Sequence, residues 1–391
     1  MFVELPADEP HQDPWILPFE SRFVRLTRGG PRIAYFYERP DNSTFRYRVH
    51  NMIEAIDANW REASASYFSL EDAAHLDSVA DAADIVVICR ARYGDVVNQF
   101  ITRLRRRNIP IIFDVDDLVF DPRYAHLVMN ALDQPADSEH EWDHWFAYMG
   151  RIGATLRLCN RAIATNEALA KRIRKFSGVD VAVVPNFMNE WQLQSSREVV
   201  AAKRINGFAR DEHLHIGYFS GSPTHAKDFS LTTSALVTIL DRFPQVRVRM
   251  VGYLEATGPL LNYRDRIDRE DFRDYVNLQR LIGSTEINIA PLQDNIFTNC
   301  KSELKYFEAA AVATVTIASP THSFAQSIRH GDNGWLAAGH QWAENLARVI
   351  DQLQNRPQEY VAVAERAMED VEARHTWRSQ MPALKRALLP G

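Results

Sequence analysis

The sequence predicts an α/β protein built from two doubly wound halves that face each other across a cleft. From residue 32 onward, short apolar runs rich in β-branched residues alternate with helix-period patterns, which is the signature of βαβ units around a parallel sheet. The alternation is interrupted once, between residues 186 and 212, by polar and charged sequence without strand periodicity, and then it resumes. At 391 residues the chain also exceeds what one ordinary core accommodates.

Taken in order, residues 1–30 are rich in proline and charge and are expected to form an irregular arm. The first Rossmann-like domain is placed at 31–190, with strands at 32–38 (RIAYFYE), 65–69, 84–89 (DIVVIC), 109–115, 162–165 and 181–184. A linker is assigned to 191–212. The second Rossmann-like domain, 213–357, has strands expected at 215–219, 246–251, 286–290 (EINIA) and 314–318 (TVTIA). Helices over 358–391 are expected to pack back towards the first domain.

Composition narrows the function classes. A net charge of −6 argues against nucleic acid as a partner, because phosphate contacts need a basic face. Cys89, Cys159 and Cys300 match no zinc or redox spacing, which suits a reduced cytoplasmic setting. No apolar run approaches the ~20 residues of a membrane span, and the first residues lack a signal-peptide pattern. The run RLRRR at 103–107 reads as a helix end complementing its dipole. Its alternative is contact with anionic lipid, a peripheral placement at the inner face of the membrane.

The chemistry concentrates in residues 291–319. A helix over 301–312, capped by Thr298 or Asn299, puts Leu304, Phe307 and Ala311 on one face and Lys301, Lys305 and Glu308 on an adjoining stripe. At the carboxyl end of a parallel strand, free N–H groups and the helix dipole favour an anion. The two lysines would add charge for a phosphate, and Glu308 could accept from paired sugar hydroxyls. The plainer alternative is a solvated helix with a Lys–Glu pair worth roughly 0.2–0.5 kcal/mol. In the loop of 215–229, HIGYFSGSPTHAKDF, Gly221, Ser222 and Thr224 allow close backbone approach to an anion, and Lys227 supplies a charge. His225 is a candidate catalytic group or a structural one. IIFDVDDLVFD at 111–121 sets Asp114, Asp116 and Asp117 at a strand end, where they could hold Mg²⁺, supply a nucleophile, or face the cleft. In DNSTFRYRVHNM at 41–52, Arg46 and Arg48 alternate with aromatics and could meet an acidic or phosphorylated acceptor.

The run KYFEAAAVATVTIAS, with Lys305 three residues before Glu308, resembles the nucleotide-sugar motif of GT-B glycosyltransferases. In particular it resembles the retaining family 4, or group 1, type of polysaccharide and O-antigen biosynthesis. The resemblance implies that Glu308 holds the ribose of a nucleotide. Eight positions earlier, where the family has a second glutamate against the donor sugar, this chain has Cys300. Lys227 matches the family's diphosphate lysine, and Gly221 stands where the family has an arginine, which throws weight onto Lys301, Ser302 and Lys305. Asn299, Cys300, Thr321 and His322 are then expected at the donor sugar, Asp116 or Asp117 at donor or acceptor hydroxyls, and Arg46 and Arg48 at the acceptor. Asn166 and Asn186 are expected near the cleft. The expected partners are a nucleotide diphosphate-sugar, as substrate, and a saccharide or lipid-linked acceptor, with no obligatory metal or cofactor. Two alternatives stand beside this: a non-catalytic binding protein, given Cys300 and Gly221, and a Mg²⁺-dependent phosphatase, because FDVDD resembles the nucleophile strand of haloacid dehalogenases with Asp114 as nucleophile.

Overall fold

A computed structural model describes residues 1–221 and 226–389. The first sheet comprises β1 (Arg32–Phe36), β2 (Ser64–Phe68), β3 (Ile85–Cys89), β4 (Ile111–Val115), β5 (Arg161–Ala164) and β6 (Asp180–Val183), in the order β2-β1-β3-β4-β5-β6. The second comprises β7 (Leu214–Ser220), β8 (Val246–Gly252), β9 (Ile267–Glu270), β10 (Ile287–Ala290), β11 (Val315–Ala318) and β12 (Trp335–Leu336), in the order β12-β11-β10-β7-β8-β9. All the strand pairs are parallel. Helices cover both faces, so the strands read as continuous apolar runs; Val86, Val87 and Ile88 are all fully buried.

The strand order fixes where a ligand can enter. In the first sheet the winding reverses between β1 and β3; in the second it reverses between β7 and β10. The loops leaving the carboxyl ends of adjacent strands at such a point run to opposite faces and leave a crevice. The two crevices meet, and one cavity is lined from both sheets.

Several elements differ from the sequence expectation. The N-terminal arm contains a helix, Phe19–Leu26, held to the first sheet by a buried pair in which Arg22 donates to Asp72 at 2.6 and 2.8 Å. The polar stretch assigned as linker is largely the helix Glu190–Ile205. Asn189 and Gln192 form its capping box, and Leu193, Val199 and Val200 are buried on one side. Its period is 3.6, which a search for strand alternation does not see. β9 (IDRE) was not expected because its polar sequence serves an edge position.

The helix expected at 301–312 is Leu304–Ala311, preceded by a tight turn at Thr298–Cys300 and by Lys301 in an extended conformation. Neither Thr298 nor Asn299 caps it; Glu303 occupies that place without a side-chain cap. Its far end stops at Ala313, whose φ is +52°. The buried Lys203 ammonium there donates to the carbonyls of Val312 (2.6 Å) and Ala313 (3.1 Å). The helix Glu190–Ile205 thus holds in place the helix that carries Lys305 and Glu308. The last helix, Trp377–Leu388, lies against the helix Asn51–Asn59 and β6.

Candidate functional site

The cavity between the sheets measures about 540 Å³. Its first-sheet wall carries Thr44, Arg46 and Tyr47 after β1, Arg90 after β3, and Asp116 and Asp117 after β4; its second-sheet wall carries Gly221 after β7 and Lys301, Ser302, Lys305 and Glu308 after β10.

On the second-sheet side, the Lys305 Nζ is buried, has no hydrogen-bond partner among the described residues, and lies 4.0 Å from the centre of the Tyr218 ring. Burial lowers its pKa to about 7; Asp228 and Glu308 oppose that shift and Lys301 adds to it. One turn further, Glu308 accepts a short hydrogen bond from the Tyr47 hydroxyl and sits 3.5 Å from the Arg46 guanidinium. Arg46 lies between the rings of Tyr47 (4.1 Å) and Tyr275 (4.9 Å), and its Nε donates to the Asn42 carbonyl at 2.9 Å. Burial, above all, raises the Tyr47 pKa, so the hydroxyl stays protonated and remains a donor.

On the first-sheet side, Arg90 has φ +47°, a left-handed conformation uncommon for a residue other than glycine. Its NH1 donates to Asp116 at 3.0 Å and to the Thr44 hydroxyl at 3.1 Å, and lies 3.7 Å from Asp117. The Thr44 hydroxyl in turn donates to Asp116 at 2.7 Å. Burial raises the Asp117 pKa against the pull of Lys301, with Asp116 adding to the rise and Arg90 opposing it. Around Arg90 this wall is therefore a fixed array of two carboxylate acceptors, the Thr44 hydroxyl and the Arg90 guanidinium.

Asn186 joins the walls: its Nδ2 donates to the Ser302 hydroxyl at 3.1 Å. Asn166 does the same beside it, donating to the Cys300 carbonyl at 2.9 Å.

Of the residues singled out in the sequence, Arg46, Asp116, Asp117, Gly221, Lys301, Ser302, Lys305 and Glu308 line the cavity. Ser222, Thr224 and His225 lie outside the described residues. Arg48 does not reach an acceptor: it is fully buried and forms a two-pronged pair with Asp114, Nε to Oδ1 at 2.7 Å and NH2 to Oδ2 at 2.9 Å. The residue alternation that put Arg46 and Arg48 together fails because residues 46–50 form a π-helical turn. The same pair removes Asp114 as a nucleophile, since both its oxygens are engaged in the interior. Among the described residues no group of three or more His, Cys, Asp or Glu side chains could hold a metal ion.

Lys227 does not line the cavity; its ammonium binds Asn130 and Asp133, each at 3.0 Å, across the cleft. Asn299, Cys300 and His322 line a different cavity of about 490 Å³, with Lys171 and Arg172, and Thr321 is buried. The Cys300 side chain packs into the apolar core of the first sheet, and burial pushes its pKa up to about 12, so it stands as an uncharged thiol. The basic run at 103–107 is partly paired, Arg103 and Arg107 both bonding Asp81 at 3.0 and 2.5 Å. Sequence reasoning missed Thr44, Tyr47, Arg90 and Tyr275. Arg90 had a usable signal, as it immediately follows a predicted strand at the reversal of the winding; Tyr275 had none.

The fold and this cleft define a GT-B protein. Similar solved structures agree. HepE of Anabaena, determined in complex with UDP and glucose, has 13% identity and a TM-score of 0.59, over 91% of this chain and 98% of that one. Sucrose-phosphate synthase of Thermosynechococcus elongatus has 14% identity and a TM-score of 0.57, over 90% and 97%. A glycosyltransferase of Rickettsia africae has 12% identity and a TM-score of 0.59, over 92% and 99%. Residues 233–386 match the family described as glycosyl transferase-like. No curated protein matches it in a sequence search.

Proposed function

We propose that this protein transfers a sugar from a nucleotide diphosphate-sugar to a saccharide acceptor, with the donor in the cavity between the sheets. The observation that carries the reading is the pairing of an unpartnered buried ammonium, Lys305, with a carboxylate one turn away, Glu308, at the carboxyl end of β10. A buried ammonium whose donors are unmet is costly even with the Asp228 and Glu308 carboxylates nearby, and a diphosphate is a ligand that relieves it. The leaving diphosphate gains negative charge as the glycosidic bond breaks, and Lys305, Lys301 and the start of the helix Leu304–Ala311 are fixed where that charge would develop. Glu308 accepts from the ribose hydroxyls in exchange for its bond from Tyr47. Asp116, Asp117 and Thr44 receive sugar hydroxyls on the facing wall.

The finer expectations from the family resemblance form part of this proposal: retention at the anomeric carbon, a role in cell-surface polysaccharide synthesis in the cytoplasm, and no obligatory metal. A lipid-linked acceptor reached at the membrane face belongs with them; no helix among the described residues is long and apolar enough to cross a membrane.

The test is a thermal-shift screen against UDP, GDP, dTDP, ADP and CMP, with and without Mg²⁺. A ligand that binds only the folded state raises Tm. One nucleoside diphosphate is expected to do so without Mg²⁺, and Glu308→Ala to weaken it. No shift at millimolar nucleotide, or an unchanged affinity in Glu308→Ala, refutes the donor site.

A further inference from the structure

On the first-sheet side the cavity is bordered at Trp145 by the helix Glu139–Arg157, whose opening turns read EHEWDHWFAY. Trp145 lines the cavity. Trp142, Trp145 and Tyr148 are half-buried, each packing one edge on the first-sheet core, and Phe146 is 49% exposed. The rings are close: Trp142 and Phe146 are 5.8 Å apart, Trp145 and Tyr148 5.4 Å. Both indole N–H groups are already anchored, Trp142 to the Ala136 carbonyl at 2.9 Å and Trp145 to Gln134 at 2.5 Å. The two indoles are therefore anchored, Tyr148 is covered by the Arg92 guanidinium at 5.5 Å and by His144 stacked at 6.4 Å, and Phe146 is the ring presented to solvent. A stripe that served only the core would not carry a half-exposed phenylalanine beside a tryptophan at the cavity mouth.

We propose that this aromatic strip is the acceptor platform, and that its ligand is an uncharged saccharide chain. Pyranose rings present apolar C–H faces that stack on fixed aromatic rings, and a strip running into the cavity at Trp145 leads the chain end towards the donor. The charge on the same turns bears on the ligand class. Asp137, Glu139, Glu141 and Asp143 lie along these turns, with the Arg92 guanidinium over the Tyr148 ring at 5.5 Å; the excess of acid disfavours uronic acids, phosphate-bearing polymers and anionic lipid. This inference rests on the glycosyltransferase reading and extends it to the acceptor.

The experiment is saturation-transfer NMR and calorimetry with maltohexaose, cellohexaose and mannohexaose as neutral probes, hyaluronan hexasaccharide as the acidic one, and phosphatidylglycerol vesicles as the lipid surface. Stacking tolerates differences in sugar identity, so at least one neutral hexasaccharide is expected to bind. Phe146→Ser, at an exposed position that folding does not depend on, is expected to weaken it about threefold to tenfold, the loss of one stacked ring. Trp145→Ala is expected to weaken it further, while Trp145→Phe retains most of it. The nucleotide-induced rise in Tm is expected to be unchanged in Phe146→Ser. Absence of neutral-glycan binding, wild-type affinity in both Phe146→Ser and Trp145→Ala, or tighter binding of hyaluronan or vesicles overturns the platform. A nucleotide shift that persists in those cases leaves the donor site standing. Glycan binding without any nucleotide shift supports the platform and refutes the donor site instead.

Discussion

The depressed pKa of Lys305 makes nucleotide binding a proton-linked event, and the sign and size of the effect follow from the site. In the free protein burial lowers this ammonium from 10.5 to about 7, so at pH 8 and above it is mostly neutral. A bound diphosphate adds negative charge to that of Asp228 and Glu308 and raises the pKa again, so binding takes up a proton wherever the free protein has lost one. Each pH unit between the free and bound pKa values then weakens binding by up to tenfold. From pH 7, where the free group is already half deprotonated, to pH 9 the Kd is expected to rise by up to about fiftyfold, or ~2.3 kcal/mol. Stability of the unliganded fold moves the opposite way. Because the folded pKa is depressed, the unfolded chain binds more protons between pH 7 and 10.5, so this group adds stability as pH rises through that window. The assay is calorimetric titration of the nucleoside diphosphate that scores in the thermal screen, at half-unit pH steps in two buffers of different ionisation enthalpy. Lys305→Met is expected to bind weakly at every pH without the slope, and Lys305→Arg to bind with the slope removed. A Kd flat from pH 6.5 to 9 in the wild type, with heats independent of buffer, refutes the assignment of Lys305 to the phosphate.

Two further perturbations test the surrounding structure. Arg48→Met leaves the Asp114 carboxylate buried without its partner and is expected to cost about 3–5 kcal/mol in urea unfolding; the double variant Arg48→Met/Asp114→Leu is expected to recover most of that, and a loss under about 1 kcal/mol in the single variant would show the pair to be dispensable. At Gly221 a Cβ meets nothing within 4 Å, so Gly221→Arg, which restores the residue type of the resembled family, is expected to fold normally and to tighten diphosphate binding about tenfold through a charge-assisted hydrogen bond; an unchanged or weaker Kd would show that the loop does not face the phosphates.

Local sequence determined the repeating unit of this protein. Strand and helix periods are set by residues within a few positions of one another, and DIVVIC, IIFDV and EINIA became β3, β4 and β10 within one or two residues of their expected ends. The family-like run around Lys305 and Glu308 was legible for the same reason, since a helix stripe is a local pattern. The tertiary structure decided which of the marked residues share the cavity. Arg46 and Arg48 lie two positions apart, yet a π-helical turn gives one to Glu308 and the other to a buried carboxylate that is 66 positions further on. Lys227 and Lys305 were equivalent as charges, but Asn130 and Asp133 of the facing domain take the first, while the second has no hydrogen-bond partner among the described residues. Cys300 and its neighbours turned to a different hollow once Asn166 fixed the Cys300 carbonyl. Every one of these outcomes depends on a partner far away in sequence, and the pairing of charges and the burial of a site exist only after the two sheets have met.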